Sequence, residues 1–164
     1  MKIQYGTGPT AFGSVFIALN ENQILKISFS KNQKEALQSL RDDFPGEDLK
    51  EKNSAWVQAQ WKKINSFSRS DLKKQIRALA QGTEFQKNVW LSLVEIPFGK
   101  TASYSDIAKK IGLPKAVRAV GSAVGANPFG YLIPCHRVLP KAGGLGGFAW
   151  GVDLKKLMLD YEQN

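Results

Sequence analysis

Cysteine and histidine are almost absent from this chain of 164 residues, which has one of each. A lone cysteine excludes an intrachain disulfide. The pair cannot supply the ligand set of a Cys/His structural zinc site either, so no metal and no other cofactor is expected. Also lacking is any apolar run near the roughly 18 residues that a membrane helix needs, and the N-terminus has no signal-peptide apolar core. A cytoplasmic protein, nuclear in a eukaryotic host, with no membrane partner is the expectation. Acidic residues are outnumbered, 14 against 23 Lys and Arg, giving a net charge of +9. Such an excess suits a polyanionic partner, because clustered cations release counterions from phosphate. The excess is spread over both halves, so charge does not locate a binding face.

The length suits one domain or two small ones, and 43% hydrophobic content is ordinary for a globular chain. Residues 14–19 and 24–29 are apolar, β-rich runs split by Asn20-Glu21-Asn22-Gln23, which predicts a hairpin. Leu37, Leu40 and Phe44 predict a helix over 33–44, ended by Pro45-Gly46, with an exposed charged loop to Asn53. A second helix is expected near 54–67, with Val57, Trp61 and Ile64 on one side. Nothing in residues 1–80 looks chemical, which makes them a candidate scaffold domain, with residues 81–164 as a second domain.

Past Gln81-Gly82 the signals change. Thr83 with Gln86 is a capping-box pattern opening a helix that buries Phe85, Val89 and Leu93. Ser103 with Asp106 caps a short helix to Ile111, Gly112 suits its left-handed end, and Pro114 precedes a helix over about 115–126. Two short helices on a tight turn form a helix-turn-helix candidate, though such pairs also occur in proteins that never touch DNA. On the second helix Val117, Val120 and Val124 make a core stripe, while Arg118, Gly121, Ser122 and Gly125 make another with one long cation and almost no other side chains. Helical glycine costs up to about 1 kcal/mol against alanine, so the bare stripe needs a close neighbour, either another helix or a nucleic-acid groove.

The two rarest residues are adjacent, in Ile133-Pro134-Cys135-His136-Arg137-Val138. Only thiolate is a strong nucleophile, and an adjacent base can generate it, directly or through a water. The closing helix, about 153–162, is expected to set Leu154, Leu157, Met158 and Tyr161 on one face with Glu162 at its edge. A carboxylate there could orient the imidazole, although a terminal Glu is usually solvated.

The stretch 82–162 resembles the O6-alkylguanine-DNA alkyltransferase family in the Ile133–Val138 string, in Asn127-Pro128, and in Arg118 and Tyr104 at the family's spacing. Residues 1–80 resemble that family's variable N-terminal domain more loosely. The resemblance implies an α/β (α+β) fold, with a small N-terminal α/β domain carrying a β-sheet and a mainly helical C-terminal domain containing the helix-turn-helix. It implies direct DNA repair by a suicide methyltransferase acting once, with O4-alkylthymine as a further candidate substrate. The implied partner is double-stranded DNA containing O6-alkylguanine, bound through the minor groove by a monomer, with clustering along DNA left open.

Residue by residue, the resemblance makes Cys135 the alkyl acceptor, and His136 the group that takes its proton through a water held by Glu162. Asn127 would stabilise the turn before the active-site loop. Arg118 would fill the stack after base flipping, with Ala119, Gly121 and Ser122 lying in the groove. Tyr104 would crowd the rotating phosphate and donate a hydrogen bond to the leaving guanine. Arg137 would contact DNA, and the Val138 backbone would read the guanine amino group beside Phe148 and Ala149. Phe148 and Ala149 depart from the Tyr with Ser or Arg of many relatives, and Gly130 stands where some have Pro. Two rival readings are a damage-binding module without chemistry, which the presence of Cys135 disfavours, and a Cys-His hydrolase, which leaves the bare helix unexplained.

Overall fold

A computed structural model describes residues 1–163. The expected hairpin is there, as β2 (Gly13–Asn20) and β3 (Gln23–Ser28). A strand that the sequence reading passed over, β1 (Lys2–Thr10), precedes it and pairs antiparallel with β2. The charged stretch expected as loop contains β4 (Asp48–Glu51), which lies parallel to β1 and completes the order β3-β2-β1-β4. Its side chains are mostly exposed, as an edge strand's can be, so pairing rather than hydropathy made it a strand.

Period-2 alternation divides the sheet's side chains between two cores. Ile3, Tyr5, Phe16 and Ala18 pack with Ala36, Leu40 and Phe44 of or just beyond helix α1 (Gln33–Asp43). Val15, Ile17, Leu19, Ile24 and Ile27 face the other way, toward Val57 and Ile64 of α2 (Ser54–Asn65) and Leu72 and Ile76 of α3 (Arg69–Ala78). Helix α3 was also not expected, although Ser68 and Asp71 form a capping box at its start. Each fully buried aliphatic side chain contributes about 1.5–3 kcal/mol. Helix α2 lies very close to β1, because a Cβ on Gly6 would come 2.7 Å from the Lys52 carbonyl oxygen and 2.8 Å from a Val57 methyl.

In the second half, α4 (Glu84–Leu93) opens with the Thr83–Gln86 capping box. Val89 and Leu93 are buried as expected, and so is Trp90, whose Nε1 donates to the Ala123 carbonyl at 2.8 Å and ties α4 to α6 (Val117–Gly125). Phe85 packs only partly buried against the core. Helix α5 (Tyr104–Lys110) has the Ser103–Asp106 capping box, and Gly112 takes φ +79° in the turn that leads to α6. The short parallel pair β5 (Ala102–Ser103) and β6 (Val138–Leu139) sets the 3₁₀ turn Cys135–Arg137 beside the start of α5. Helix α7 (Val152–Gln163) closes the chain.

The inward face of α7 differs from expectation. Lys155, Met158 and Glu162 are buried, whereas Leu157 and Tyr161 are about half exposed. That face is chosen by a polar anchor rather than by apolar count. The two halves are joined where Ile27 of β3 donates to the Pro128 carbonyl at 2.8 Å and accepts from Gly130 N at 3.0 Å. The larger apolar core runs from Phe12 to Met158 and so spans both halves. Among the described residues no helix is long and apolar enough to cross a membrane.

Candidate active site

The Cys135–Arg137 turn, the α6 helix and the loop before α7 enclose a cavity of about 370 Å³. Tyr104, Gly121, Val124, Cys135, Phe148 and Ala149 line it, at a size within the range of small-molecule sites. Cys135 is 2% exposed. Asn127 holds it: Nδ2 donates to Cys135 Sγ at 3.0 Å and to the Ile133 carbonyl at 2.8 Å, while Oδ1 accepts from Phe129 N at 2.9 Å. One buried amide therefore fixes the turn after α6 and the sulfur together. Burial pushes the thiol up to about 11, against the Asn127 hydrogen bond, the Lys155 charge and the backbone N–H groups of Cys135 and His136. The resting sulfur is therefore a thiol, and it needs a proton acceptor to react.

That acceptor's neighbours are in place. His136 is fully buried, and its Nε2 lies 2.8 Å from Glu162 Oε1. An ionised carboxylate only accepts, so Nε2 holds the proton and donates, leaving Nδ1 with a free lone pair. Nδ1 is buried and has no partner among the described residues. Burial lowers the imidazole pKa while the Glu162 hydrogen bond and charge raise it; the net direction is down, toward a neutral base. Burial also opposes ionisation of Glu162, but hydrogen bonds and charge from His136 and Arg137 outweigh it and hold that carboxyl at about 2.

The His136 hydrogen bond contributes most to this hold, and Arg137 adds to it. Its Nε lies 2.9 and 3.0 Å from the two Glu162 oxygens, its Nη2 lies 2.6 Å from Oε1, and its Nη1 donates to the Ile96 carbonyl at 2.7 Å. The Phe98 ring covers the guanidinium at 5.7 Å. Arg137, expected at DNA, is held by these contacts within the protein, with 12% of its side chain exposed.

Lys155 was missed by the sequence reading. It is fully buried, and its Nζ donates to the Val138 carbonyl at 2.8 Å and the Gly147 carbonyl at 3.1 Å, joining the strand after the thiol to the cavity's outer wall. The signal existed: Lys155, Met158 and Glu162 fall at i, i+3 and i+7, one face of a helix. The Val138 carbonyl thus has one lone pair taken, and Val138, expected in the substrate pocket, is buried and not among the residues that line the cavity. Tyr104 is half-buried, with burial and then the Cys135 charge raising its pKa, so it stays a phenol that can donate. Arg118, Ala119, Ser122 and Gly125 are exposed on α6, and Gly121 stands next to Tyr104. The structure thus gathers Cys135, His136, Glu162, Asn127, Tyr104, Phe148 and Ala149, with the bare stripe of α6 at the cavity mouth.

Comparison with known proteins gives one family match: residues 84–164 fit the 6-O-methylguanine DNA methyltransferase, DNA binding domain. A methylated-DNA–protein-cysteine methyltransferase of Methanosarcina acetivorans is 35% identical over 159 residues, 96% of this chain and 97% of that one. The bifunctional transcriptional activator/DNA repair enzyme Ada of Escherichia coli is 35% identical over 162 residues, 99% of this chain and 46% of that one. A Mycobacterium tuberculosis OGT solved in complex with DNA superposes with a TM-score of 0.65 at 28% identity, covering 98% of this chain and 92% of that one.

Proposed function

Because the chain belongs to the methylated-DNA–protein-cysteine methyltransferase family, we propose that it repairs DNA directly, by moving the alkyl group of O6-alkylguanine onto Cys135 once per molecule. The observation that carries the reading is the chain's only thiol at the wall of a base-sized cavity, bonded to Asn127 and adjacent to a buried His136–Glu162 pair.

The steps follow from the groups present. His136 Nδ1 takes the Cys135 proton, directly or through one bridging water, and Glu162 stabilises the imidazolium that forms. Asn127 Nδ2 and the Lys155 ammonium stabilise the developing thiolate. Sγ then attacks the alkyl carbon, a carbon–sulfur bond forms, and the bond from that carbon to O6 breaks. The departing guanine anion accepts a hydrogen bond from the Tyr104 hydroxyl and takes a proton from water, while the His136 imidazolium gives its proton back to water, so the charges cancel. The product thioether has no comparable leaving group, so water does not restore the thiol and the protein is consumed.

A stacked guanine cannot present its O6 substituent to a buried sulfur, so the base must leave the duplex at a cost of a few kcal/mol. Arg118 offsets part of that cost by filling the stack, while Ala119, Gly121 and Ser122 let α6 approach a narrow minor groove. Helices α5 and α6 act here as a helix-turn-helix, and residues 1–80 act as a scaffold domain for residues 81–164. The protein works as a monomer on double-stranded DNA in the cytoplasm or nucleus. Titration with duplex carrying labelled O6-methylguanine tests the reading: label should reach the protein at one per chain and then stop. An intact lesion, or repeated turnover, would refute it.

A further inference from the structure

Tyr131 has a backbone φ of +70°, a left-handed conformation that a bulky side chain rarely adopts. Such strain persists where the surroundings over-determine it, and it concentrates at working sites. Here the surroundings are aromatic. The Tyr131 ring stacks on the His136 imidazole at 5.4 Å with 9° between the planes. Phe12, at the turn between β1 and β2, contacts the same tyrosine at 4.7 Å, and Trp61 of α2 stands at 6.1 Å. Phe12 also meets Tyr161 edge-on at 5.2 Å, one residue before Glu162. A continuous pile of rings therefore runs from the β1–β2 turn and α2 to the His136 imidazole.

Outside this pile lies a second hollow of about 470 Å³, lined among others by Phe12, Trp61, Lys62, Tyr131 and Tyr161. His136 has no exposed surface. Tyr131 is thus the ring that stands between the hollow and the imidazole.

We propose that Tyr131 is a positioning residue for alkyl transfer: braced by Phe12 and Trp61, its ring holds the His136 imidazole against Glu162 and seals it from water in the outer hollow. This rests on the reading of His136 as the proton acceptor. It also gives residues 1–80 a part in the chemistry, since both bracing rings come from them. The charged groups around the imidazole are Glu162 and Lys155 of α7 and Arg137 beside it, with Lys62 across the hollow. Burial is the largest influence keeping His136 neutral, so admitting water raises its pKa. Tyr131 itself stays a neutral phenol, because burial and then the Glu162 charge raise its own pKa.

The chain's single histidine makes the test direct, because untagged protein gives one imidazole Cε1–H resonance by proton NMR. The resonance in the parent should lie upfield through the Tyr131 ring current, and Tyr131→Phe should keep both it and the rate of transfer from labelled duplex. Tyr131→Leu should lose the upfield shift, raise the titration midpoint by about one pH unit, and slow transfer about tenfold, a fraction of what a positioned base supplies. Phe12→Leu removes a brace without touching the strained backbone, and should change the resonance and the rate in the same direction by less. A resonance unchanged in Tyr131→Leu overturns the proposal while leaving the reading of His136 intact. A changed resonance with an unchanged transfer rate removes His136 from the reaction, and the positioning role falls with it.

Discussion

Replacing Glu162 by Gln keeps the shape of the side chain and removes the charge that the His136 imidazolium needs. The carboxylate is 1% exposed, with Oε1 2.8 Å from His136 Nε2, and Arg137 donates to that same oxygen and to Oε2. A hydrogen bond to a charged group is worth about 1.5–3 kcal/mol, which at 1.36 kcal/mol per unit corresponds to about one to two pKa units. The sign is fixed by which state holds the charge. Glu162 stabilises thiolate with imidazolium relative to thiol with imidazole, so losing it raises the apparent pKa of Cys135 and lowers the rate about 10- to 100-fold at neutral pH. Two assays read this: the pH dependence of Cys135 alkylation by iodoacetamide, and single-turnover transfer from labelled duplex. Arg137 loses its counter-charge in this variant, so circular dichroism should first show a folded protein. A folded Glu162→Gln protein with the parent pH profile and rate would refute the coupling of Glu162 to the thiol.

Arg118→Ala should slow repair of duplex DNA far more than reaction with the free alkylguanine base, measured by loss of label from each; equal slowing removes its part in base flipping. Stability should fall on acidification. The His136 pKa is lowered by burial despite Glu162, so folding resists protonation, and stability begins to fall below the imidazole's ordinary value of 6.5. The Glu162 pKa is depressed to about 2 from 4.5, against the opposing effect of burial, so its contribution, about 3 kcal/mol, is present above 4.5 and lost toward 2. Urea unfolding at pH 7 and pH 4 checks this, and equal midpoints contradict it. Gly6→Ala should cost about 1–3 kcal/mol, because the new Cβ meets a backbone oxygen at 2.7 Å, and a thermal midpoint equal to the parent's would show that α2 can retreat.

How much was legible in the sequence differs by element. The capping boxes at Thr83 and Ser103, the left-handed Gly112 and the β2–β3 hairpin depend on neighbours in the chain, and each appears where the residues predict it. Strand β4 was not legible, because Asp48-Leu49-Lys50-Glu51 has no apolar alternation and exists through pairing with β1. Helix α3 has only Leu72 and Ile76 to show an inner face, although its capping box was readable. In the site, rarity and adjacency drew attention to Cys135 and His136. The burial of Lys155 was legible only through the helix face it shares with Met158 and Glu162, whereas the orientation of Arg137 depends on a carbonyl and a carboxylate brought in from Ile96 and Glu162, which no local pattern announces. The same holds for Tyr131, whose stacking partners come from three separate stretches of chain.

The most direct measurement is peptide mass spectrometry after reaction with duplex containing O6-methylguanine. The predicted result is the mass of one methyl group on the peptide containing Cys135, at one per chain, with guanine restored in the DNA and no such mass in Cys135→Ser protein. Restored guanine with an unmodified Cys135 peptide would contradict the account.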